Sequence, residues 1–178
     1  MDVTIALLQG VNIGKYKRIS MADFKAIITA LGGENATTIA NSGNIVFSHD
    51  RARIPDELRL AIETAVSDHA GVLIPTITRP GAEIQQVIAN NPYPDVDNPK
   101  HLHVDLLLEP VEGVLNGIEF GQDHLTLIGR DLYMHLPNGV SGLTYDARTL
   151  NKRLGTHHTS RNWSTITKLA NLARMTES

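Results

Sequence analysis

The residues most suggestive of chemistry form a glycine-bearing loop near the N-terminus, Gln9–Lys15, which directly follows an apolar stretch. Backbone N–H groups around Gly10, Asn12 and Gly14 can form a concave nest for an anion, and Lys15 adds a positive charge. The loop is not a Walker A motif, because three residues rather than four separate its glycines and no Ser or Thr follows the lysine. The alternative is a structural turn that needs the φ angles open to glycine.

A second candidate site lies near the C-terminus, in the segment 159–163 (Thr-Ser-Arg-Asn-Trp). Free N–H groups at the helix start beside Asn162, together with Arg161, can bind an oxyanion. Arg148 and Lys152 stand one helical turn apart on the preceding predicted helix and can enlarge this site. The alternative is that Asn162 only caps the helix, while the tryptophan packs in the core and Arg161 lies on the surface.

Polar residues also alternate along a predicted strand of the second half, at His101, His103 and Asp105. If Tyr133 and His135 on a neighbouring strand share their face, the group could hold a divalent metal or supply a general acid or base. Such spacing is common by chance, so we favour a sheet face that is solvated or covered by another subunit. We predict no bound metal.

The absence of several residue patterns excludes whole classes of enzyme. The chain has no cysteine, which rules out a thiol nucleophile, a disulfide framework and cysteine-ligated zinc. It contains no G-x-S-x-G nucleophile elbow and no H-E-x-x-H metalloprotease motif. The residues 3–8 include no aromatic side chain, so base stacking of the kind used by RNA-recognition folds is not indicated. No catalytic residue is assigned, and no cofactor is expected.

Charge is distributed unevenly along the 178 residues, although the formal net charge is only −3. Residues 3–22 carry three basic side chains and no acid, and residues 147–176 carry six basic side chains and no acid. The stretch 23–146 has 17 acids against 7 bases. Two acid-free basic segments favour an anionic partner, whereas the alternative is that they are solvated helix faces.

The elements that would position these residues have a recognisable order. In the first half, hydrophobic periodicity and turn signals predict a strand at 3–8, a helix from Ser20 to Gly32, strands at 36–40 and 44–49, a helix from Pro55 to Gly71 and a strand at 72–78. This β-α-β-β-α-β order is the ferredoxin-like plan. A helix at 81–90 and a proline-marked linker follow.

The same order then begins again. The second half predicts a strand at 101–108, a short helix at 111–118, strands at 125–128 and 132–136, a helix at 145–154, a vestigial strand at 156–159 and a C-terminal helix from Trp163. We therefore predict an α+β protein of two tandem ferredoxin-like subdomains with an extra C-terminal helix. The predicted domains are residues 1–80, a helix and linker at 81–100, and residues 101–178.

Four ordered segments carry a resemblance to a known family: 8–14 (LQGVNIG), 42–47 (SGNIVF), 91–94 (NPYP) and 159–163 (TSRNW). They resemble the signatures of DUF1697, a bacterial family of unknown function. The resemblance covers the whole chain and implies two ferredoxin-like subdomains and no established activity. Gln9 and Asn41 stand where the family pattern often has arginine and glutamine. If the family's pocket relies on that arginine, anion binding at the first loop is weakened here.

These patterns favour a non-catalytic module that binds a phosphate-bearing ligand, either a nucleotide or a nucleic acid. The predicted anion-binding residues are Gly10, Asn12, Gly14, Lys15, Arg148, Lys152, Arg161 and Asn162. A first alternative is an enzyme that acts on a small phosphorylated or acidic metabolite through His103 or His135. A second is a structural role in which the chain forms a homodimer. No apolar run is long enough to span a membrane, so we expect a cytoplasmic protein without membrane contact.

Overall fold

The computed structural model describes residues 1–177 and divides the chain into two compact units. The first unit comprises Met1–Gln86 together with the chain from Lys168 onward. The second unit comprises Val87–Thr167. Each unit is built around one four-stranded sheet.

The first unit has the predicted β-α-β-β-α-β order. Its elements are β1 (Asp2–Leu8), α1 (Met21–Ala30), β2 (Glu34–Thr38), β3 (Asn44–His49), α2 (Pro55–Ala70), β4 (Thr76–Pro80) and α3 (Gly81–Ala89). The sheet order is β2-β3-β1-β4, and every neighbouring pair is antiparallel. β1 therefore lies in the centre of the sheet. This arrangement is the ferredoxin-like fold that the sequence predicts.

Local signals explain where the helices of this unit begin and end. The Ser20 hydroxyl accepts a hydrogen bond from the Asp23 N–H and so caps the start of α1. Pro55 occupies the first turn of α2, and Gly71 ends that helix in the left-handed conformation. Phe24 and Ile28 of α1 pack with Ile62 of α2 in a core on one face of the sheet.

The last strand of the first unit starts later than predicted. We expected a strand from residue 72, but β4 begins at Thr76, and Val72 and Leu73 are exposed. The reason is the helix end: the Val72 N–H donates to the Ser67 carbonyl oxygen, and the Ile74 N–H donates to the Ser67 hydroxyl. These bonds hold the chain in a turn until Ile74.

The second unit repeats the sheet topology with different helices. Its elements are β5 (Leu102–Leu107), β6 (His124–Ile128), β7 (Asp131–His135), a short 3₁₀ turn (Val140–Gly142), α4 (Ala147–Leu154), β8 (His158–Asn162) and α5 (Trp163–Glu177). α5 begins in this unit, and its residues from Lys168 onward belong to the first unit. The sheet order is β6-β7-β5-β8, again antiparallel throughout.

Two predictions for the second unit are wrong. The helix expected at 111–118 is a series of turns, because Gly113 and Gly117 adopt φ angles of 66° and 69° that an α-helix cannot contain. Val114 from this segment still packs in the core beside α4. The strand expected to be vestigial is instead β8, which pairs with β5 from His158 to Asn162.

No helix in the described part of the chain has the length and apolar character needed to cross a bilayer.

Candidate functional site

The Asn12 side chain makes several hydrogen bonds that hold the loop between β1 and α1 in place. Its amide nitrogen donates to the carbonyl oxygen of Ile19 at 2.9 Å and to that of Asn41 at 3.1 Å, and its amide oxygen accepts from the Ile19 N–H at 3.2 Å. Asn12 itself has a φ of 58°, a left-handed conformation that Asn tolerates better than most residues. Asn12 therefore organises the loop.

The two loop glycines adopt the left-handed conformation, which both the predicted nest and the alternative structural turn require. Gly10 has a φ of 68° and Gly14 a φ of 73°, and both are exposed, with no atom within 4 Å of a Cβ placed on either. Lys15 is also exposed. The backbone here is accessible to a ligand from the solvent.

A shallow hollow of about 440 Å³ adjoins this loop, between Asn12 and the start of α1. Arg18 lines it and donates one hydrogen bond to the Gly14 carbonyl oxygen at 3.1 Å. Asp23 and His69 also line it, with 3.5 Å between a carboxylate oxygen and the imidazole Nε2. The Arg18 N–H groups that do not bond Gly14 are thus hydrogen-bond donors in the wall of the hollow. The only acid in that wall, Asp23, faces His69.

The second predicted cluster is only partly exposed. The Arg161 guanidinium donates to the Thr159 hydroxyl at 2.6 Å and to the Ser160 carbonyl oxygen at 2.7 Å. Burial lowers the pKa of Arg161 to about 10, against an opposing effect of Asp105. The Asn162 side-chain oxygen accepts from the Thr165 N–H at 2.9 Å, as a helix-capping residue does. These contacts give both residues structural roles.

The remaining basic residues of that cluster are available to solvent. Arg148 and Lys152 are exposed on α4, while Leu150 and Leu154 of the same helix are buried. All four predicted residues of the C-terminal cluster belong to the second unit, and Gly10, Asn12, Gly14 and Lys15 belong to the first. The two predicted clusters therefore belong to different units.

A comparison with models of protein families shows which family the chain belongs to. The model of the family described as "Protein of unknown function (DUF1697)" matches residues 1–133. The chain belongs to the DUF1697 family. A search of curated proteins finds no match.

A solved structure shares the fold of this DUF1697 chain. It is titled "The structure of conserved bacterial protein SP0830 from Streptococcus pneumoniae", and it superposes with a TM-score of 0.74 at 17% sequence identity. The match covers 97% of this chain and 98% of the other. At that identity the likeness shows a common fold, and it agrees with the two antiparallel sheets described above.

The histidines of this DUF1697 chain do not form the single polar face that the sequence suggested. In the β5–β7 pairing, His135 lies opposite Leu102, and His103 lies opposite Met134. Directly opposed residues share a face and successive residues alternate, so His103 and His135 point to opposite faces of the sheet. They cannot serve one substrate together. Among the described residues no three His, Asp or Glu side chains are placed to hold a metal ion.

His135 instead belongs to a group of rings on its own face. Its ring stacks on His124 with centroids 5.6 Å apart, and Tyr93 lies 5.9 Å away on a tilted plane. The Tyr93 hydroxyl is fixed by a 2.7 Å hydrogen bond to Thr126. Burial, followed by the nearby His124 and His101, lowers the pKa of His135.

Sequence reasoning missed a cavity of about 220 Å³ in the first unit of this DUF1697 chain, at the end of the sheet beside the start of α2. Thr4 and His49 line it, and the Thr4 hydroxyl oxygen lies 2.9 Å from His49 Nε2. Both side chains are buried. The two residues are 45 positions apart. In the sequence they look like ordinary strand residues, so no local signal could have joined them.

Proposed function

We propose that the protein binds a phosphate-bearing ligand at the loop formed by residues 10–18, without transforming it chemically. The supporting observation is the arrangement of this loop: two exposed left-handed glycines flank the Asn12 anchor, and Arg18 lines the adjoining hollow of about 440 Å³. Backbone N–H groups and a guanidinium are groups that phosphate oxygens prefer; the Asn12 N–H donates to the Lys17 carbonyl oxygen, so the donors proposed for the phosphate are Arg18 and the N–H groups of the neighbouring loop residues.

The charges around the loop favour an anion. Lys15, Lys17 and Arg18 follow one another within four residues, and no acid lies between residues 3 and 22. Asp23 is the one carboxylate that lines the hollow. Its Oδ2 lies 3.5 Å from His69 Nε2 and accepts a hydrogen bond from the Ser20 hydroxyl at 2.5 Å. A phosphate group would therefore meet a net positive surface, and Arg148 and Lys152 offer a second, separate basic patch.

Binding measurements with matched variants test this proposal. We would titrate ATP, single-stranded DNA and double-stranded DNA against the protein at about 50 and about 200 mM salt, because phosphate contacts weaken steeply with salt. Lys15→Glu and Arg18→Glu should each weaken binding by about fivefold or more, since the first reverses a charge in the loop and the second reverses one in the wall of the hollow. ATP binding without DNA binding would identify a nucleotide site, and the opposite result would identify a nucleic-acid site.

The control is Lys25→Glu, which makes the same charge change at an exposed position of α1 that lies outside both the loop of residues 10–18 and the hollow. It should leave binding within about twofold at the higher salt, where distant charges are screened. Arg148→Glu tests the second patch in the same way. Salt-independent binding, or equal affinity in the wild type and Lys15→Glu, would contradict the proposal.

A further inference from the structure

We propose that the 220 Å³ cavity of the first unit is a separate site for a small apolar molecule whose head group donates a hydrogen bond to Thr4. The cavity lies between the start of α2 and the ends of β1, β3 and β4, so it shares no lining residue with the hollow beside the glycine loop. It would take a ligand of different chemistry from the phosphate proposed there.

The hydrogen bonds from His49 to Asp50 and from Thr4 to His49 determine which head group Thr4 can bind. His49 Nδ1 lies 2.9 Å from the Asp50 carbonyl oxygen, which can only accept, so Nδ1 carries the hydrogen. In the neutral imidazole, Nε2 is then the acceptor, and the Thr4 hydroxyl must donate to it across 2.9 Å. The Thr4 oxygen is left with acceptor capacity towards the cavity and no hydrogen to give.

The strand pairing places these groups on the cavity side of the sheet. His49 lies opposite Asp2, and Thr4 lies opposite Phe47 on one side and Pro80 on the other, so all of them share one face. Arg79 lies opposite Ile5, on the other face of the sheet, but it also lines the cavity, and its Nε is 3.6 Å from a Glu83 carboxylate oxygen. The Thr4–His49 pair thus sets the polarity of the inner wall.

The remaining walls suit a short hydrocarbon body. Val3, Pro55, Leu58, Pro80 and Ala82 provide apolar surface around the pair. An apolar cavity of about 150 Å³ is known to hold a benzene molecule, so this one has room for about seven to nine non-hydrogen atoms.

The ionisable groups on the rim do not impose a charge on the ligand. Arg53 lines the cavity and donates to the Leu31 carbonyl oxygen, and Asp2 lies 2.8 Å from Arg51. Glu177 also lines it, with its carboxylate beside Gly81 at the start of α3. The cavity is lined by two acids, Asp2 and Glu177, and by two bases, Arg53 and Arg79, so the direction of the Thr4 hydrogen bond, rather than a net charge, decides which head group binds.

Four probes of nearly equal size separate the possible head groups. They are 1-hexanol, a neutral hydrogen-bond donor; hexylamine, which donates as an ammonium cation at neutral pH; 2-hexanone, which only accepts; and hexanoate, which is an anion. Chemical-shift titration of the backbone amides of Thr4, His49 and Thr78 should show saturable binding of 1-hexanol or hexylamine. The affinity of 1-hexanol should exceed that of 2-hexanone by about fivefold, the effect of one neutral hydrogen bond. Which of 1-hexanol and hexylamine binds better tells whether the natural ligand is an alcohol or an amine.

Variants of two threonines locate the effect. Thr4→Val should abolish the preference for 1-hexanol over 2-hexanone, whereas Thr4→Ser, which retains the hydroxyl, should keep it. Thr78→Val, on the same cavity wall, should keep it as well. Equal affinity for 1-hexanol and 2-hexanone in the wild type would overturn the proposal, as would the absence of any shift at these amides with every probe. The wild-type comparison stands even if Thr4→Val fails to fold.

Discussion

Asp105 and His158 form a carboxylate–imidazole pair between neighbouring strands of the second unit. The Asp105 carboxylate oxygen lies 3.1 Å from His158 Nδ1, and the two side chains are 8% and 19% exposed. The hydrogen bond to Asp105 raises the pKa of His158 and outweighs the opposing effect of burial. The pair therefore links the stability of the fold to pH.

We predict that this pair stabilises the protein in acid more than in base. Because the folded pKa of His158 lies above its unfolded value near 6.5, the stabilisation is complete below pH 6.5 and disappears as pH rises through the folded pKa. His158→Gln should therefore lower the free energy of unfolding by about 1 kcal/mol more at pH 6 than at pH 8.5. Urea titrations of both proteins at the two pH values measure this difference.

The comparison between wild type and variant is needed because another histidine acts in the opposite sense. The pKa of His135 is lowered, so its contribution to stability is present above pH 6.5 and is lost as pH falls. His135→Gln is thus the matched control, with a pH effect of opposite sign. A difference between wild type and His158→Gln that is the same at both pH values would contradict the assignment.

At the scale of helices and strands, the β2–β3 connection depends on one glycine, Gly43. Gly43 has a φ of 72°, and a Cβ there would lie 2.7 Å from the Leu8 Cβ and 2.7 Å from the Val11 Cγ2. Leu8 and Val11 are both buried, so they have little room to move. Conformation and packing therefore both require glycine at this position.

We predict that Gly43→Ala is much more destabilising than Gly71→Ala. Gly71 ends α2 with a φ of 67° but has no atom within 4 Å of its Cβ position, so alanine there incurs only the conformational cost, about 1 kcal/mol. Gly43→Ala adds overpacking and should cost about 3 kcal/mol in total. Thermal or urea unfolding of the two variants tests this. Equal losses of unfolding free energy would contradict the prediction, because they would show that Leu8 moves aside without cost.

The success of the prediction for each element depended on how local its signals are. The starts of α1 and α2 were predictable because Ser20 and Pro55 act on residues within one turn. The segment 111–118 has apolar residues at near-helical spacing, but Gly113 and Gly117 interrupt it and tertiary packing of Val114 holds it as turns. β8 was underestimated because its polar sequence becomes a strand only by pairing with β5.

At the scale of the whole molecule, burial of the central strand β1 indicates whether the protein forms a homodimer. Ile5 and Leu7 point to one face of the first sheet and Ala6 and Leu8 to the other, and all four are fully buried in the single chain. The sheet face of each half was the reason to expect a homodimer, but β1 has no uncovered face, and β5 of the second sheet is likewise buried from Val104 to Leu107. We therefore predict a monomer of 19.5 kDa in light scattering. A mass of twice that value at micromolar concentration would contradict this prediction.

The sequence alone determined the order of the strands, the ferredoxin-like sheet plan of both halves, and the glycine loop with its basic neighbours. These features depend on capping, periodicity and backbone conformation, which act over a few residues. Only the tertiary structure decided that Thr4 meets His49, that Asp105 meets His158, and that His103 and His135 lie on opposite faces. These contacts depend on strand register, because a shift of one residue moves every side chain of a strand to the other face. Register is a property of the folded sheet.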